Sequence, residues 1–301
     1  MRLPRLLCTA GVVVLSAAGL ALGGAVASSA STADTYPVTS NLAEGVAQSA
    51  SDPAAPPPGV NVSGCQPSSA HPIPVVLVDG TFANMTDDWS GLGPVLANAG
   101  YCVYSTPLGA PSNSLIQTTG PAADSAQELA SFVDSVLSET GAGQVDLVGH
   151  SQGGMLSEYY TKVLGGAAKV HTLVGLSPTT HGTTLDGLGT LAQAFPGGSQ
   201  IVGTACPACA DQLTGSTVIQ TLDNGAIAQS GVNYTIIETR NETVVTPAGS
   251  SFINEPGVTN EWVQDSCASD TVDHASLPYD KTVQLLTENA LDPGDPQAVT
   301  C

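Results

Sequence analysis

Three residues of this sequence, Ser151, Glu242 and His274, have the types and chain order of a nucleophile, an orienting carboxylate and a base. Ser151 lies in Gly149-His150-Ser151-Gln152-Gly153, a G-x-S-x-G pentapeptide. A serine hydroxyl is a weak nucleophile at neutral pH, so it requires a neighbouring base, and the base requires a carboxylate that orients it. The chemistry of such a trio is attack on a carbonyl carbon through a covalent acyl intermediate. Chance pentapeptides are common in a Gly- and Ser-rich chain, so context decides. QVDLV (144–148) runs straight into this one, and Met155, Leu156, Tyr159, Tyr160, Val163 and Leu164 behind it share one helical face. A strand, a tight turn and a helix in that order hold a serine above the edge of a sheet. Gly149 and Gly153 leave room for the neighbouring strand and helix. No G-x-x-x-x-G-K-[ST] is present, which argues against a phosphate loop.

The remaining members follow from chain order, which in this arrangement is serine, acid, histidine. His71 lies upstream of the serine, and His150 adjoins it and points elsewhere. His171 sits inside an apolar strand run, and His181 leaves too few strands between itself and Ser151. His274, in VDHASLPYD, is the histidine with room for an acid loop before it. The acid is expected just past the strand NYTIIETR (233–240). Glu238 still belongs to that strand and reads as structural or edge-exposed, whereas Glu242 falls where a loop presents it to His274. Asp265, Asp270 and Asp273 are the competing acids. A tetrahedral intermediate also needs hydrogen-bond donors for its oxyanion. The backbone N–H of Gln152 is one, and the loop DGTF (79–82) supplies the other at Thr81, with Gly80 keeping that loop close to the serine.

The elements that must position these groups read as alternating strands and helices. PVVLV (74–78), YCVYS (101–105), QVDLVGH (144–150), KVHTLVGLS (169–177) and NYTIIETR are strand runs, with TNEWVQD (259–265) as a further one. Helical stretches cover 92–99, 121–139 and 281–290, while 178–231 reads as irregular and borders the substrate. Such alternation predicts an α/β fold, a mostly parallel central sheet with helices on both faces.

Composition narrows the setting. Arg2 and Arg5, an apolar run from Leu6 to Val26 and the small-residue site Ala25-Val26-Ala27 form a signal peptide over residues 1–27. Residues 28–64 read as a flexible Ser/Ala/Pro-rich leader, and 65–301 as one catalytic domain. No later segment is long and apolar enough to anchor the chain in a membrane. Without the signal, four basic residues face 26 acidic ones, a net charge of about −22. Such a surface repels nucleic acid and anionic membranes. It suits a secreted, extracellular protein, expected to be a monomer. Cys65, Cys102, Cys206, Cys209, Cys267 and Cys301 remain, an even number that implies disulfides and allows fifteen pairings. The CPAC at 206–209 has no second metal-ligand pair, so it reads as a small-loop disulfide. No metal or other cofactor is expected.

With these residues in place the chain resembles the secreted lipases and esterases of actinomycetes, the class 2 lipase family of the α/β-hydrolases, over residues 65–301. The marks are PVVLVDGTFANMTDDW, GYCVYS, VDLVGHSQGG, SPTTHGTT, ETRNETVVTP, the late Asp-His and the terminal ALDP. The family usually has histidine where Asp79 stands, and an aspartate where Glu242 stands. The resemblance implies the α/β-hydrolase fold, the disulfides Cys65–Cys102, Cys206–Cys209 and Cys267–Cys301, and hydrolysis of acylglycerols or other lipid esters, including at a lipid–water interface. A cutinase-like polyester hydrolase, acyl transfer to another acceptor, and a non-catalytic binding protein on the same fold are the alternatives.

Overall fold

The computed structural model describes residues 35–110, 113–202 and 206–301. The expected signal peptide and residues 28–34 lie outside the described residues. Six strands, β1 (Val75–Val78), β2 (Val103–Ser105), β3 (Val145–His150), β4 (Val170–Leu176), β5 (Asn233–Glu238) and β6 (Val258–Trp262), form one sheet in the order β2-β1-β3-β4-β5-β6. Every neighbouring pair is parallel. This is why β1 and β3 read as unbroken apolar runs: a parallel strand covered on both faces has no wet side. Successive side chains point to opposite faces. Val76, Val78, Leu147 and Leu173 pack on one face with Leu129, Val133, Met155 and Leu156. Val75, Leu77, Val148 and Val174 pack on the other with Leu92, Leu96, Val283 and Leu286.

The helices that carry those partners follow the strands. In chain order they are α1 (Leu42–Ser49), α2 (Met85–Trp89), α3 (Leu92–Ala99), α4 (Ala122–Thr140), α5 (Gln152–Lys162), α6 (Leu185–Ala192), α7 (Gly198–Val202), α8 (Pro207–Asp211), α9 (Thr217–Asp223), α10 (Val263–Ser266) and α11 (Lys281–Leu291). Thus α4 and α5 cover one face of the sheet, and α3 and α11 the other. No described helix is long and apolar enough to cross a membrane.

Three segments differ from the sequence expectation. The described part of the leader, from residue 35, is packed against the fold. Asn41 caps α1 by accepting from the Glu44 N–H at 3.0 Å, and the Thr39 N–H donates to the Ser90 carbonyl at 2.9 Å. Gly45 faces the Tyr279 hydroxyl so closely that a Cβ there would lie 2.0 Å from it. Further on, Asn61 mimics an edge strand: its amide donates to the Ser105 carbonyl at 2.8 Å and its carbonyl accepts from the Ser105 N–H at 3.0 Å. The segment 178–231 is not irregular throughout, since α6 to α9 lie within it. Thr184 and Ser216 cap α6 and α9 by accepting from the Gly187 and Ile219 N–H groups. Strand β6 is followed directly by α10, so TNEWVQD splits between them. The six cysteines pair as Cys65–Cys102, Cys206–Cys209 and Cys267–Cys301.

Candidate active site

The end of β3 determines where the serine sits. Ser151 has φ 52° and ψ −121°, left-handed backbone that costs an L-residue on the order of 1–3 kcal/mol. The surrounding glycines explain how the turn closes. A Cβ on Gly153 would stand 1.9 Å from the Val78 carbonyl oxygen, and one on Gly149 would stand 2.4 Å from the Gly154 nitrogen. The Ser151 N–H donates to the Leu176 carbonyl at 2.9 Å, which ties the turn to the end of β4. The Ser151 Oγ is buried and has no hydrogen-bond partner.

Glu242 and His274 are brought together. Glu242 Oε2 lies 2.7 Å from His274 Nδ1, and both side chains are fully buried. The other carboxylate oxygen, Oε1, accepts from the Val244 and Val245 N–H groups at 2.7 and 3.0 Å. Burial works against the charge on Glu242, but the adjacent His274 ring and the two N–H groups outweigh it and hold the carboxyl below its ordinary range. The competing acids are engaged elsewhere. Asp265 pairs with Arg240 at 2.8 Å. Asp270 accepts from Val272 N–H and the Thr282 hydroxyl. Asp273 caps the short helical turn that begins at His274, accepting from Ser276 N–H. His274 Nε2, the nitrogen that would face a serine, is buried and unpartnered like the Ser151 Oγ.

Thr81 and Gln152 lie side by side: the Thr81 hydroxyl donates to Gln152 Oε1 at 2.6 Å. Gly80 backs onto the serine turn, where a Cβ would come within 3.3 Å of Ser151 Cβ. Gln212, at the end of α8, was not singled out in the sequence. Its buried Nε2 donates to Thr81 Oγ1 at 2.8 Å and to Gln152 Oε1 at 3.0 Å, and its Oε1 accepts from the Thr179 hydroxyl at 3.1 Å. Nothing in the local pattern of an irregular-looking insertion marks that glutamine.

Three expectations about single residues are sharpened. Glu238 is not edge-exposed: it is buried, accepts from Gly249 N–H at 2.6 Å, and burial pushes its carboxyl up to about 7. Asp79, where the resembled family has histidine, is buried and accepts from Trp89 Nε1 at 2.6 Å and from the Ser105 hydroxyl at 3.3 Å. Desolvation and the Asp88 charge raise its carboxyl well above the usual carboxylate range. His150 reaches Asp88 through Nδ1 and the main chain of His274 through Nε2. Phe82, Leu188, Leu191, Phe195, Val244 and Val245 belong to one buried apolar cluster.

A six-stranded parallel sheet wrapped by helices, with a strained serine turn after β3 and an acid–histidine pair on later loops, defines an α/β-hydrolase. The family model described as Lipase (class 2) matches residues 72–285, and the chain belongs to that family. Two curated relatives are triacylglycerol lipases. The one from Pseudarthrobacter phenanthrenivorans is 38% identical over 95 residues, which is 30% of this chain and 28% of that protein. The one from Burkholderia plantarii is also 38% identical over 95 residues, 30% of this chain and 25% of that protein. Each match therefore spans little more than a quarter of the relative's own length or less. Among solved structures, Aspergillus fumigatus lipase B superposes with a TM-score of 0.60 at 20% identity, covering 76% of this chain and 53% of that one. Bacillus licheniformis lipase BlEst2 does so with a TM-score of 0.52 at 17% identity, covering 73% and 91%. Both share the fold.

Proposed function

We propose that the chain is a secreted serine carboxylester hydrolase, of lipase or esterase type, acting on acylglycerols or other lipid esters. The observation that carries this reading is the His274–Glu242 pair, whose outer nitrogen is buried and unpartnered, as is the hydroxyl of Ser151 on its strained turn. Ser151 Oγ attacks the ester carbonyl and His274 Nε2 takes its proton. Glu242 holds the ring in the tautomer with Nδ1–H and stabilises the imidazolium. The backbone N–H groups of Thr81 and Gln152 hold the oxyanion. The alcohol leaves with the proton from His274, and water then repeats the sequence on the acyl-enzyme. This chemistry calls for no metal or organic group. The family membership and the triacylglycerol lipase relatives support the ester substrate. Export through the 1–27 signal is supported by the three disulfides, which persist in oxidising compartments. A non-catalytic role would have rested on Asp79 and Glu242, but Glu242 makes the histidine contact and Asp79 is committed to Trp89 and Ser105.

The test is labelling with a serine-directed phosphonate, read together with hydrolysis of esters of graded acyl length below and above their solubility limit. Labelling at Ser151, lost in Ser151→Ala and strongly slowed in His274→Ala, is expected. Unlabelled Ser151, or labelling undiminished in His274→Ala, would overturn the triad.

A further inference from the structure

Behind the Glu242–His274 pair stands a second buried acid–histidine pair. Asp88, on α2, is almost fully buried and has both carboxylate oxygens engaged. Its Oδ2 accepts from the Gly80 N–H at 2.7 Å, in the loop that carries Thr81. Its Oδ1 lies 2.7 Å from His150 Nδ1. The opposite ring nitrogen, His150 Nε2, lies 3.0 Å from the main-chain carbonyl of His274. One chain of contacts thus joins the oxyanion loop, the residue before the nucleophile and the backbone of the base.

The partners of His150 determine its protonation. A carboxylate oxygen faces one nitrogen and a carbonyl oxygen the other, and both only accept. The ring satisfies both by donating from both nitrogens, which makes it an imidazolium. Burial is the largest influence and opposes that charge, but Asp88, the His274 carbonyl and Glu242 together outweigh it, so protonation is favoured above the ordinary histidine range. The ring centroids of His150 and His274 are 5.0 Å apart. The charged and titratable groups around His150 are therefore Asp88 from α2, Glu242 from the acid loop and His274 itself, with Asp79 beyond Asp88.

Resting on the triad reading above, we propose that Asp88 and His150 are a positioning pair for it. His150 donates to the His274 carbonyl and fixes the base relative to the serine turn. Asp88 fixes the oxyanion loop to the same anchor through Gly80. The pair also supplies a balanced charge: its cation faces His274, and its anion keeps that cation in the protein interior.

The test compares His150→Asn, Asp88→Asn and the double variant by the pH dependence of kcat/KM on a soluble short-chain ester. In His150→Asn the cation is gone and Asp88 is left unbalanced near His274. The acid limb then moves up by about 1 pH unit, and the plateau falls about tenfold or more from misplacement. The double variant removes both charges, so its limb returns to within about 0.3 unit of the parent while its plateau stays low. Asp88→Asn leaves the limb near the parent and lowers the plateau, because Gly80 loses its charged acceptor. A spectroscopic signature on the unaltered protein stands apart from any folding defect of the variants. Nitrogen-15 resonances of His150 should show both ring nitrogens protonated at pH 8. An unprotonated ring nitrogen at pH 7, an unmoved limb in His150→Asn, or a double variant whose limb moves as far as the single one would each overturn the proposal. The triad reading has its own control. Parental activity in Ser151→Ala would refute the triad, whereas an inactive Ser151→Ala with any of the results above would refute the positioning pair alone.

Discussion

Replacing Glu242 by glutamine changes one functional atom and leaves its neighbours in place. The side-chain carbonyl can still accept from Val244 and Val245 N–H, so the acid loop keeps the contacts that shape it. The atom facing His274 Nδ1 at 2.7 Å becomes an NH2 group, which donates. Two losses follow. The charge that stabilises the imidazolium disappears; a pair of unit charges about 4 Å apart at an effective dielectric near 20 is worth about 4 kcal/mol, or roughly 10³-fold in rate. The ring also turns to the tautomer with Nε2–H, which cannot take the serine proton, and the combined loss approaches about 10⁴-fold. Steady-state hydrolysis of a short p-nitrophenyl ester measures kcat. Glu242→Asp is the companion. Its carboxylate is one methylene shorter and cannot serve both the Val244–Val245 N–H pair and His274 from the same backbone position, so a loss of about 10–100-fold is expected. Turnover of Glu242→Gln within about fivefold of the parent, with collapse in Asp265→Asn, Asp270→Asn or Asp273→Asn, would refute the assignment.

Other outcomes follow from the same geometry. Gly153→Ala places a methyl group 1.9 Å from the Val78 carbonyl oxygen, so it should cost about 3 kcal/mol and roughly 10 °C in Tm; calorimetry showing an unchanged Tm would contradict the turn. Gln212→Ala frees the Thr81 and Gln152 side chains from their shared amide, so kcat should fall about tenfold with KM little changed, and a fall in affinity alone would argue for a substrate contact instead. Glu158 and Glu238 are both buried, and desolvation pushes them up to about 8 and about 7. The folded chain keeps their protons where the unfolded chain, with ordinary values near 4.3, has lost them. Their contribution is present below that value and is lost as pH rises through about 7 and 8. Glu242 has the opposite sign, contributing above the ordinary range and losing its contribution as pH falls below it. Thermal melts should therefore show Tm falling from pH 5 to 9, and Glu158→Gln/Glu238→Gln should flatten that slope.

The parts of the fold legible in the sequence are those whose signal is local. VVLV and VDLVGH announce parallel strands because burial on both faces leaves no polar alternation. The serine turn is legible because its G-x-S-x-G pattern follows an apolar run and opens a helical stretch, although Gly153 answers to the Val78 carbonyl on β1. Elements held by distant partners are not legible. The leader has the Ser/Ala/Pro composition of a disordered tail, yet Gly45 is matched to Tyr279, and Thr39 to Ser90, far along the chain. Helices α6 to α9 are too short to show a helical period, and hydroxyl caps and the Cys206–Cys209 disulfide mark their ends. Asp88 and Gln212 have no regular spacing from Ser151: Asp88, on α2, reaches His150, and Gln212, at the end of α8, reaches Gln152, contacts that exist only in the folded chain.

Histidine identity shows most clearly what sequence order supplies and what only geometry adds. The chain has five histidines and six lysines and arginines against 26 acidic residues, so histidine is the cation most available to the interior. Four of the five have a carboxylate on Nδ1: His150 on Asp88, His171 on Asp146, His181 on Asp223 and His274 on Glu242. An acid–histidine contact is therefore no mark of catalysis in this protein. The other nitrogen makes the distinction. His150 Nε2 is engaged by the His274 carbonyl and His181 Nε2 by the Phe252 carbonyl, while His171 is more than one-third exposed. His274 alone among the described histidines has a second nitrogen that is buried and without a partner. An unpaired buried nitrogen costs on the order of 1–3 kcal/mol, and in the proposed triad the serine hydroxyl is the group that takes it up. Chain order pointed to His274 by elimination; the unpaired Nε2 supports the proposed role.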